Sequence, residues 1–269
     1  MTFTVFYFSG TGNTQWAVNE FSNKIKQRNH DCTVYAVENK IENLQSIIDE
    51  ADYIGFAFPV YGADMPRIMR EFFEESMGPL AIDHKKYFIM TTVGYMDAMG
   101  PFVVKKALKN YHLEMCAYIS LKVCNNMSTP KLKTKPISNE ALKARLEKGH
   151  ISIDKLIEKL ISKHKYITNI GPYLVPGIVI RKATAKGKKN HAEYLSVDTA
   201  KCSACMRCVN DCPTKSIVYS DDGFTFLPTC TVCMRCYNFC PVNAVLYDGK
   251  FADPSVYIRY KGVQDRLKS

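Results

Sequence analysis

The chain has 269 residues and a formal net charge of +10, and its composition is 46% hydrophobic and 23% charged. This length accommodates one α/β domain and a small second module, and the composition is that of a globular protein rather than a disordered one. No stretch approaches the roughly 20 apolar residues of a membrane helix, and the first residues lack the features of a signal peptide, so we expect a cytoplasmic protein with no membrane-embedded part.

The first half of the chain alternates apolar strand candidates with helical patterns. The five strand candidates are residues 3–8, 32–37, 53–58, 87–92 and 117–123. A last, long helix candidate spans residues 139–164. Five strands in strict alternation with helices predict an α/β fold, with a five-stranded, parallel, doubly wound sheet covered by helices on both faces.

The turn after the first strand candidate is rich in glycines and hydroxyl groups, and it consists of Ser9, Gly10, Thr11, Gly12, Asn13 and Thr14. Its glycines allow backbone N–H groups to approach an anion, and a helix that begins near Asn13 directs the positive end of its dipole to the same place. The loop has no lysine and no G-x-G-x-x-G pattern, which disfavours a Walker A site and a dinucleotide site. Hydroxyls without cationic side chains suit the phosphate of FMN, and the loop resembles the phosphate loop of flavodoxins. A chance Ser/Gly/Thr turn is the alternative.

Two further segments follow the third and fourth strand candidates, where ligands bind in doubly wound sheets. By the resemblance to flavodoxin-like proteins, one side of the flavin ring would be lined by Pro59, Val60, Tyr61 and Gly62. The other side would be lined by Thr92, Val93, Gly94 and Tyr95. Tyr61 and Tyr95 are the candidates for stacking on the ring, because the only tryptophan, Trp16, lies in the first helix. Each tyrosine could equally serve to anchor its own loop.

Most of the positive charge lies between the two halves of the chain, since residues 131–190 contain 15 Lys/Arg against 4 Asp/Glu. Glycines and prolines punctuate the end of this segment, which predicts a basic linker at residues 171–195. One interpretation is a docking surface, near residues 131–190, for an acidic redox partner protein. The other is a solvated lysine-rich surface. Nucleic-acid binding is disfavoured, because aromatic residues are not interleaved with the basic ones.

Eight of the eleven cysteines lie between Cys202 and Cys240, in two runs of identical C-x2-C-x2-C-x3-C-P spacing. This is the spacing of bacterial ferredoxins, in which the fourth cysteine of each run binds the other cluster. One [4Fe–4S] cluster is therefore assigned to Cys202, Cys205, Cys208 and Cys240. The second is assigned to Cys230, Cys233, Cys236 and Cys212. Structural zinc is the alternative, although four zinc ligands would not require the x3-C-P extension twice.

Residues 196–250 resemble a bacterial two-cluster ferredoxin, a small α+β module. The resemblance implies that the apolar stretches 217–219 and 244–247 are the paired strands of that module. Its folding should depend on the clusters, because a module of this size buries little apolar surface. The predicted organisation is an FMN domain at residues 1–170, the linker at 171–195, the cluster module at 196–250 and a C-terminal tail at 251–269.

No catalytic residue is predicted, because the sequence has no Ser-His-Asp series and no H-E-x-x-H motif, and its six histidines are scattered. Cys32, Cys116 and Cys124 lie in or beside strand candidates, where buried packing is the default interpretation. A catalytic thiol at Cys124 is the alternative.

Taken together, the two halves resemble the flavodoxin–ferredoxin fusion proteins of anaerobic bacteria. This resemblance implies one FMN and two [4Fe–4S] clusters in one chain, and a coupling of two-electron to one-electron redox chemistry. The lack of catalytic residues favours an electron carrier. The alternatives are a flavin-dependent reductase whose clusters feed the FMN from an external low-potential donor, and a redox sensor.

Overall fold

The structure is a computed structural model that describes residues 1–127, 134, 137–168, 171, 173–189, 191–250 and 259–263. For residues 184–189 and 191 it describes the backbone only. Parts of the predicted basic segment, linker and tail lie outside the described residues: 128–133, 135, 136, 169, 170, 172, 190, 251–258 and 264–269. Within the part that is described, no helix combines the length and the apolar character needed to cross a membrane.

The centre of the N-terminal domain is one parallel sheet. Its strands are β1 (Thr2–Tyr7), β2 (Asp31–Ala36), β3 (Tyr53–Pro59), β4 (Asp83–Val93), β5 (His112–Lys122) and β6 (Tyr166–Ile167). They lie in the order β2-β1-β3-β4-β5-β6, and every neighbouring pair is parallel. The predicted α/β class and parallel sheet are confirmed, and the first five strands follow the 2-1-3-4-5 order, whose switch point lies between β1 and β3.

The predicted number of strands is wrong by one. Strand β6 adds two residues to the edge of the sheet, where Tyr166 pairs with Ala117 and Ile167 pairs with Tyr118. A strand of two residues is too short to show a period-two pattern, so hydrophobic periodicity cannot reveal it.

Helices cover the sheet. They are α1 (Asn13–Gln27), α2 (Leu44–Asp49), α3 (Arg67–Glu71), α4 (Pro101–Ala107) and α5 (Asn139–Ile161), with a π-helical turn at Phe72–Ser76. Helix α5 starts where the hydroxyl of Ser138 accepts a hydrogen bond from the amide of Ala141 (3.2 Å), which is a typical N-cap. It ends short of the predicted residue 164, because the chain turns through Lys163 (φ 58°) toward β6.

Each face of the sheet has its own apolar core, because side chains of a strand point alternately to opposite faces. On one face the Phe3 ring lies 5.9 Å from that of Phe21. On the other face the Phe56 ring lies 6.3 Å from that of Phe6 and 4.9 Å from that of Phe73. The two cores hold β1 and β3 from both sides, which places the carboxyl ends of these strands.

A helix, α6 (Leu174–Lys189), occupies much of the predicted linker. Pro176 is compatible with it because the first-turn amides of a helix have no intrahelical acceptor. Gly177 allows the helix to approach the carbonyl group of Ala98 closely. Several apolar residues of α6 are exposed, among them Val175 (71%) and Val179 (65%). The glycine and proline punctuation therefore marks the start of a helix rather than an irregular connection.

The C-terminal module contains short elements. They are β7 (Leu195–Val197), α7 (Arg207–Asn210), β8 (Ile217–Ser220), β9 (Gly223–Phe226), α8 (Arg235–Phe239) and β10 (Val245–Tyr247). Strand β8 pairs with β9, and β10 pairs with β7, both antiparallel. The predicted pairing of 217–219 with 244–247 is therefore wrong. Strand β8 turns back on β9 after two residues, which occupies it locally, and β10 instead returns to the strand that opens the module.

The described part of the predicted tail is packed against both halves of the molecule. Arg259 lies 4.1 Å above the Tyr237 ring and donates to the Val245 carbonyl group at 3.0 Å. The hydroxyl of the next residue, Tyr260, donates to the side-chain oxygen of Asn13 at the start of α1. Residues 259–263 thus join the module to the N-terminal domain.

A buried carboxylate fixes the segment on which α6 lies. Asp97 accepts hydrogen bonds from the amides of Met99 (3.0 Å) and Gly100 (3.2 Å) and from the hydroxyl of Tyr118. A Cβ on Gly100 would collide with the side chain of Leu174 at the start of α6.

We predict that Tyr118→Phe lowers the free energy of unfolding by about 1–3 kcal/mol, because it removes one partner of a buried carboxylate. Chemical denaturation of the full chain measures the loss. Tyr111→Phe is the control, because the Tyr111 hydroxyl donates to a backbone carbonyl at a half-buried position (2.8 Å) and its loss should cost less than about 1 kcal/mol. Equal losses in the two variants would contradict this role of Asp97.

Candidate cofactor site

One cleft opens at the carboxyl ends of β1, β3 and β4, and its volume is about 1300 Å³. Thirteen of the fourteen predicted FMN-binding residues line it. The exception is Gly12, which lines a neighbouring cavity of about 570 Å³. The fold therefore gathers the three predicted segments at the switch point of the sheet.

The loop between β1 and α1 is held by its own first residue. The Ser9 hydroxyl accepts hydrogen bonds from the amides of Gly12 (3.1 Å) and Gln15 (3.2 Å). Gly12 has a φ of +96°, a left-handed conformation that glycine adopts without steric cost. Among the described residues, the amides of Gly10 and Thr11 donate to no protein acceptor. These two amides, and those of Asn13 and Thr14 at the start of α1, are therefore available to bind an anion.

Hydroxyl groups tie the loop to neighbouring strand ends. The Thr14 and Thr92 hydroxyls lie 2.8 Å apart, which joins the start of α1 to the end of β4. The Thr11 hydroxyl accepts a hydrogen bond of 2.8 Å from the side chain of Asn126, beyond the end of β5. The loop is thus positioned by contacts with two other strand ends.

One residue of the basic segment has a structural role at the cleft. Arg145 donates to the carbonyl groups of Gly94 (3.0 Å) and Val123 (2.7 Å). These carbonyls belong to the segments that follow β4 and β5. Arg145 therefore holds two walls of the cleft together. At least one positive charge of the basic segment thus has a structural role within the fold.

Gly10 is the point at which the C-terminal module meets the loop. A Cβ on Gly10 would collide with the Tyr61 hydroxyl and would lie 2.9 Å from the carbonyl oxygen of Cys233. That hydroxyl is buried and makes no hydrogen bond within the described residues. Burial, followed by the charge of Cys233, raises the pKa of Tyr61 well above its usual range, and the side chain of Asn126 and the charge of Arg235 oppose this shift. Only a glycine leaves room for this three-way contact.

Several lining residues are absent from the sequence-based prediction. Asn125, Asn126 and Met127 line the cleft beyond β5, and their position after a strand could have identified them. Residues 230–232, within the second cysteine run, also line the cleft. No local pattern could reveal that contact, because it depends on how the module docks.

Cys212 is grouped with the three thiols of the second run. Burial raises the pKa of Cys236 well above its usual range, and the charges of Cys233, Cys230, Cys212 and Cys208 raise it further. Burial also raises the pKa of Cys233 to about 12, with smaller contributions from Cys230 and Cys212. These four thiols therefore lie near enough to influence one another's ionisation.

The remaining four thiols form the second group. Burial raises the pKa of Cys208, and the charges of Cys240, Cys202 and Cys205 raise it further. Cys205 is exposed. Cys240, the last cysteine of the second run, lines one small cavity together with the first three cysteines of the first run.

The two runs have the same backbone geometry. Amides donate to four cysteine sulfurs at equivalent positions: Ala204 to Cys202 (3.4 Å), Val232 to Cys230 (3.4 Å), Ser216 to Cys212 (3.2 Å) and Ala244 to Cys240 (3.1 Å). Left-handed residues also recur in register: Ala204, Met206 and Lys215 in the first run, and Val232, Met234 and Asn243 in the second. Successive N–H groups of this kind form concave anion sites, and N–H···S bonds are one means of setting a cluster potential.

Within the described residues, no group of three or more His, Cys, Asp or Glu side chains converges as the ligands of a single metal ion would. Four thiolates that each bind a different iron of a cluster lie farther apart than four ligands on one ion.

The module and the N-terminal domain are in direct contact on two sides of the cleft. Arg67 donates to the carbonyl group of Pro228 at 2.9 Å, at the side of α3. Asn238 donates to the carbonyl group of Asn126 at 2.9 Å, at the side of β5. The module therefore forms one wall of the cleft.

No protein-family model and no curated protein matches this chain. Several of its structural neighbours are flavodoxins. A flavodoxin from the domain Archaea has 17% identity and a TM-score of 0.38, and the match covers 58% of this chain and 98% of that one. A Streptococcus pneumonia TIGR4 flavodoxin has 18% identity, a TM-score of 0.41 and coverage of 59% and 99%. The general stress protein 14 of Treponema denticola, solved in complex with FMN, has 10% identity, a TM-score of 0.42 and coverage of 60% and 99%. Because these TM-scores are low, the description of the fold rests on the strand order of the sheet and not on these matches.

We predict that Gly10→Ala lowers the free energy of unfolding by about 1–3 kcal/mol, because the added methyl group overpacks the contact with Tyr61 and Cys233. Urea denaturation followed by the fluorescence of Trp16 measures the change. Gly171→Ala is the control, since nothing lies within 4 Å of the position of its Cβ and its effect should stay within about 0.5 kcal/mol. A Gly10→Ala variant as stable as this control would show that the contact is not tight.

Proposed function

We propose that the chain is an electron-transfer protein that holds one FMN and two [4Fe–4S] clusters. The observation that carries the proposal is the shared cleft, which is lined by the loop of Ser9 to Thr14 and by Cys230, Thr231 and Val232 of the second cysteine run. A flavin in this cleft would lie against the residues that hold a cluster. Such proximity is what electron transfer within one chain requires.

The residues around the loop fit the phosphate of FMN. The amides of Gly10 and Thr11 are unused by described acceptors, and the buried hydroxyls of Thr11 and Thr14 can each form a further hydrogen bond. The start of α1 adds the favourable end of a helix dipole. The ring would lie between the segment of Pro59 to Gly62 and the segment of Thr92 to Tyr95, where backbone groups can reach the ring nitrogens.

The two thiol groups fit two clusters. Each contains three cysteines of one run and the last cysteine of the other, and each receives amide hydrogen bonds on two of its sulfurs. Because burial raises the pKa of the inner thiols, binding of a cluster there would release protons as the thiolates form. The buried Tyr61 hydroxyl beside Cys233 is an additional donor for the inner group.

The two proposed cluster sites differ in exposure and in their distance from the loop. The inner site, with Cys233 (7% exposed), touches Gly10 of the loop. The outer site includes the exposed Cys205. When bound, FMN supplies two-electron chemistry and each cluster supplies one-electron transfer, so two successive electrons from a reduced one-electron carrier balance one reduction of the flavin by two electrons. The exposed loop of Cys205 is the natural contact for that carrier.

A second candidate function is a flavin-dependent reductase, and the size of the cleft favours it. Its volume of about 1300 Å³ exceeds the ~300–1,000 Å³ of typical small-ligand pockets, which leaves room for a substrate beside a flavin. Steady-state oxidation of a reduced one-electron carrier with candidate small acceptors tests this function. If the chain loaded with FMN and both clusters shows no acceptor-dependent turnover, the reductase function is refuted and the carrier function stands.

Docking of an acidic redox partner on the basic segment remains part of the proposal. Helix α6 contributes Ile180 and Ala183 to the lining of the cleft, at its edge. Lys182, which lies between them in the sequence, is exposed. Opposite charge on a partner would steer its approach to this side of the flavin site.

We predict that anaerobically purified protein contains one FMN with about eight irons and eight labile sulfides per chain. Elemental analysis and flavin absorbance measure these contents. Two zinc ions without sulfide would refute the cluster assignment, and a full complement of iron without flavin would refute the FMN site alone.

The proposed order of the clusters predicts different effects for two cysteine variants. Cys233→Ala should lower both the iron and the FMN content, because Cys233 packs on Gly10 of the loop. Cys205→Ala should lower the iron content and leave the FMN content unchanged, because Cys205 is exposed. Equal losses of FMN in the two variants would contradict the assignment of inner and outer sites.

A further inference from the structure

Arg235, between the second and third cysteines of the second run, reaches out of its module to the loop of the N-terminal domain. It donates to the carbonyl groups of Ser9 (2.8 Å) and Gly10 (3.0 Å). Two more hydrogen bonds, of 2.7 and 3.0 Å, join it to the carboxylate of Glu38 just beyond β2. A fifth goes to the carbonyl group of Asp211 in its own module (2.9 Å). Only the planar, five-donor guanidinium can serve all these acceptors.

Arg207 occupies the equivalent position in the first run and behaves differently. Both arginines stand between a methionine and the third cysteine of their run, at the start of α7 and α8. The Arg207 side chain is 54% exposed and pairs at 3.1 Å with Asp211, the residue just after its own helix. The Arg235 side chain is 17% exposed. The same local sequence therefore yields a surface ion pair in one run and a contact between the modules in the other.

The two carbonyl contacts determine where the loop amides point. In a planar trans peptide the C=O group and the following N–H group point in opposite directions, and the described chain has no cis peptide bond. Arg235 binds the C=O groups of Ser9 and Gly10, so the N–H groups of Gly10 and Thr11 must face away from it. Both are among the loop amides that donate to no described acceptor.

The cavities on either side of the loop agree with this orientation. Arg235 lines the cavity of about 570 Å³, together with Glu38. Ser9, Gly10 and Thr11 line both that cavity and the large cleft, so the loop separates them. The guanidinium therefore contacts the loop on the side of the smaller cavity, and the amides of Gly10 and Thr11 point toward the large cleft.

We propose that Arg235 is a positioning residue that makes FMN binding depend on the folded second cysteine run, by orienting the loop amides toward the phosphate. This inference rests on the proposed function, because it takes FMN as the ligand of the cleft. The coupling is reciprocal: if docking of the folded run strengthens FMN binding by some free energy, bound FMN stabilises the docking of that run by the same free energy. Loss of the inner cluster would then weaken flavin binding through Arg235.

The test compares FMN with riboflavin, which has the same ring and no phosphate. Equilibrium dialysis of the full, cluster-loaded chain measures both dissociation constants for the unsubstituted protein, Arg235→Gln, Arg235→Lys and the matched control Arg207→Gln. We expect both Arg235 variants to raise the dissociation constant for FMN at least about tenfold, because lysine lacks the fork geometry, and to change that for riboflavin less than about twofold. Arg207→Gln should change neither by more than about twofold.

An Arg235→Gln variant that binds FMN as tightly as Arg207→Gln would overturn the inference. Equal weakening of FMN and riboflavin binding would also overturn it, because that result indicates a general structural role. If Arg235→Gln loses its iron, Glu38→Gln replaces it as the test, since that change removes the carboxylate partner and leaves the cysteine runs intact. An unsubstituted, cluster-loaded chain that binds neither flavin would instead refute the proposed function.

Discussion

The contact between Gly10 and Cys233 is the constraint on which the rest of the structure depends. The turn between β1 and α1 and the second cysteine run meet at one glycine, with the Tyr61 hydroxyl buried between them. Because no side chain fits at Gly10, the second cysteine run lies directly against the β1–α1 turn. This contact places the second cysteine run along one side of the cleft. It also makes the thiol group that contains Cys233 the one nearer to the loop and the group that contains Cys205 the more distant one.

Further contacts keep this geometry in place. Arg67 and Asn238 join the module to the N-terminal domain on two sides of the cleft. Arg259 and Tyr260 extend the joint to the start of α1. Arg235 pairs with Glu38 and donates to two loop carbonyls, so its partly buried charge is compensated at the joint between the two parts. These contacts hold the module against the N-terminal domain on several sides of the cleft.

Local patterns predicted most of the fold and the proposed cofactor residues, and they failed where distant parts of the chain meet. The turn of Ser9 to Thr14 and the cysteine spacing are recognisable because neighbouring residues carry all of the signal. Arg235 and Arg207 share the same local sequence, so only the docked structure distinguishes them. Strand β6 is too short for periodicity, and α6 was predicted as linker because its proline and glycine lie in a first turn, where they are tolerated.

X-ray diffraction from anaerobically grown crystals, recorded at the iron absorption edge, tests the central claim most directly. The account predicts two separate groups of four irons, one enclosed by Cys212, Cys230, Cys233 and Cys236, with flavin density in the adjoining cleft and its phosphate at the amides of Gly10 and Thr11. Single-ion peaks at the cysteines, or iron clusters beside a cleft without flavin, would contradict it.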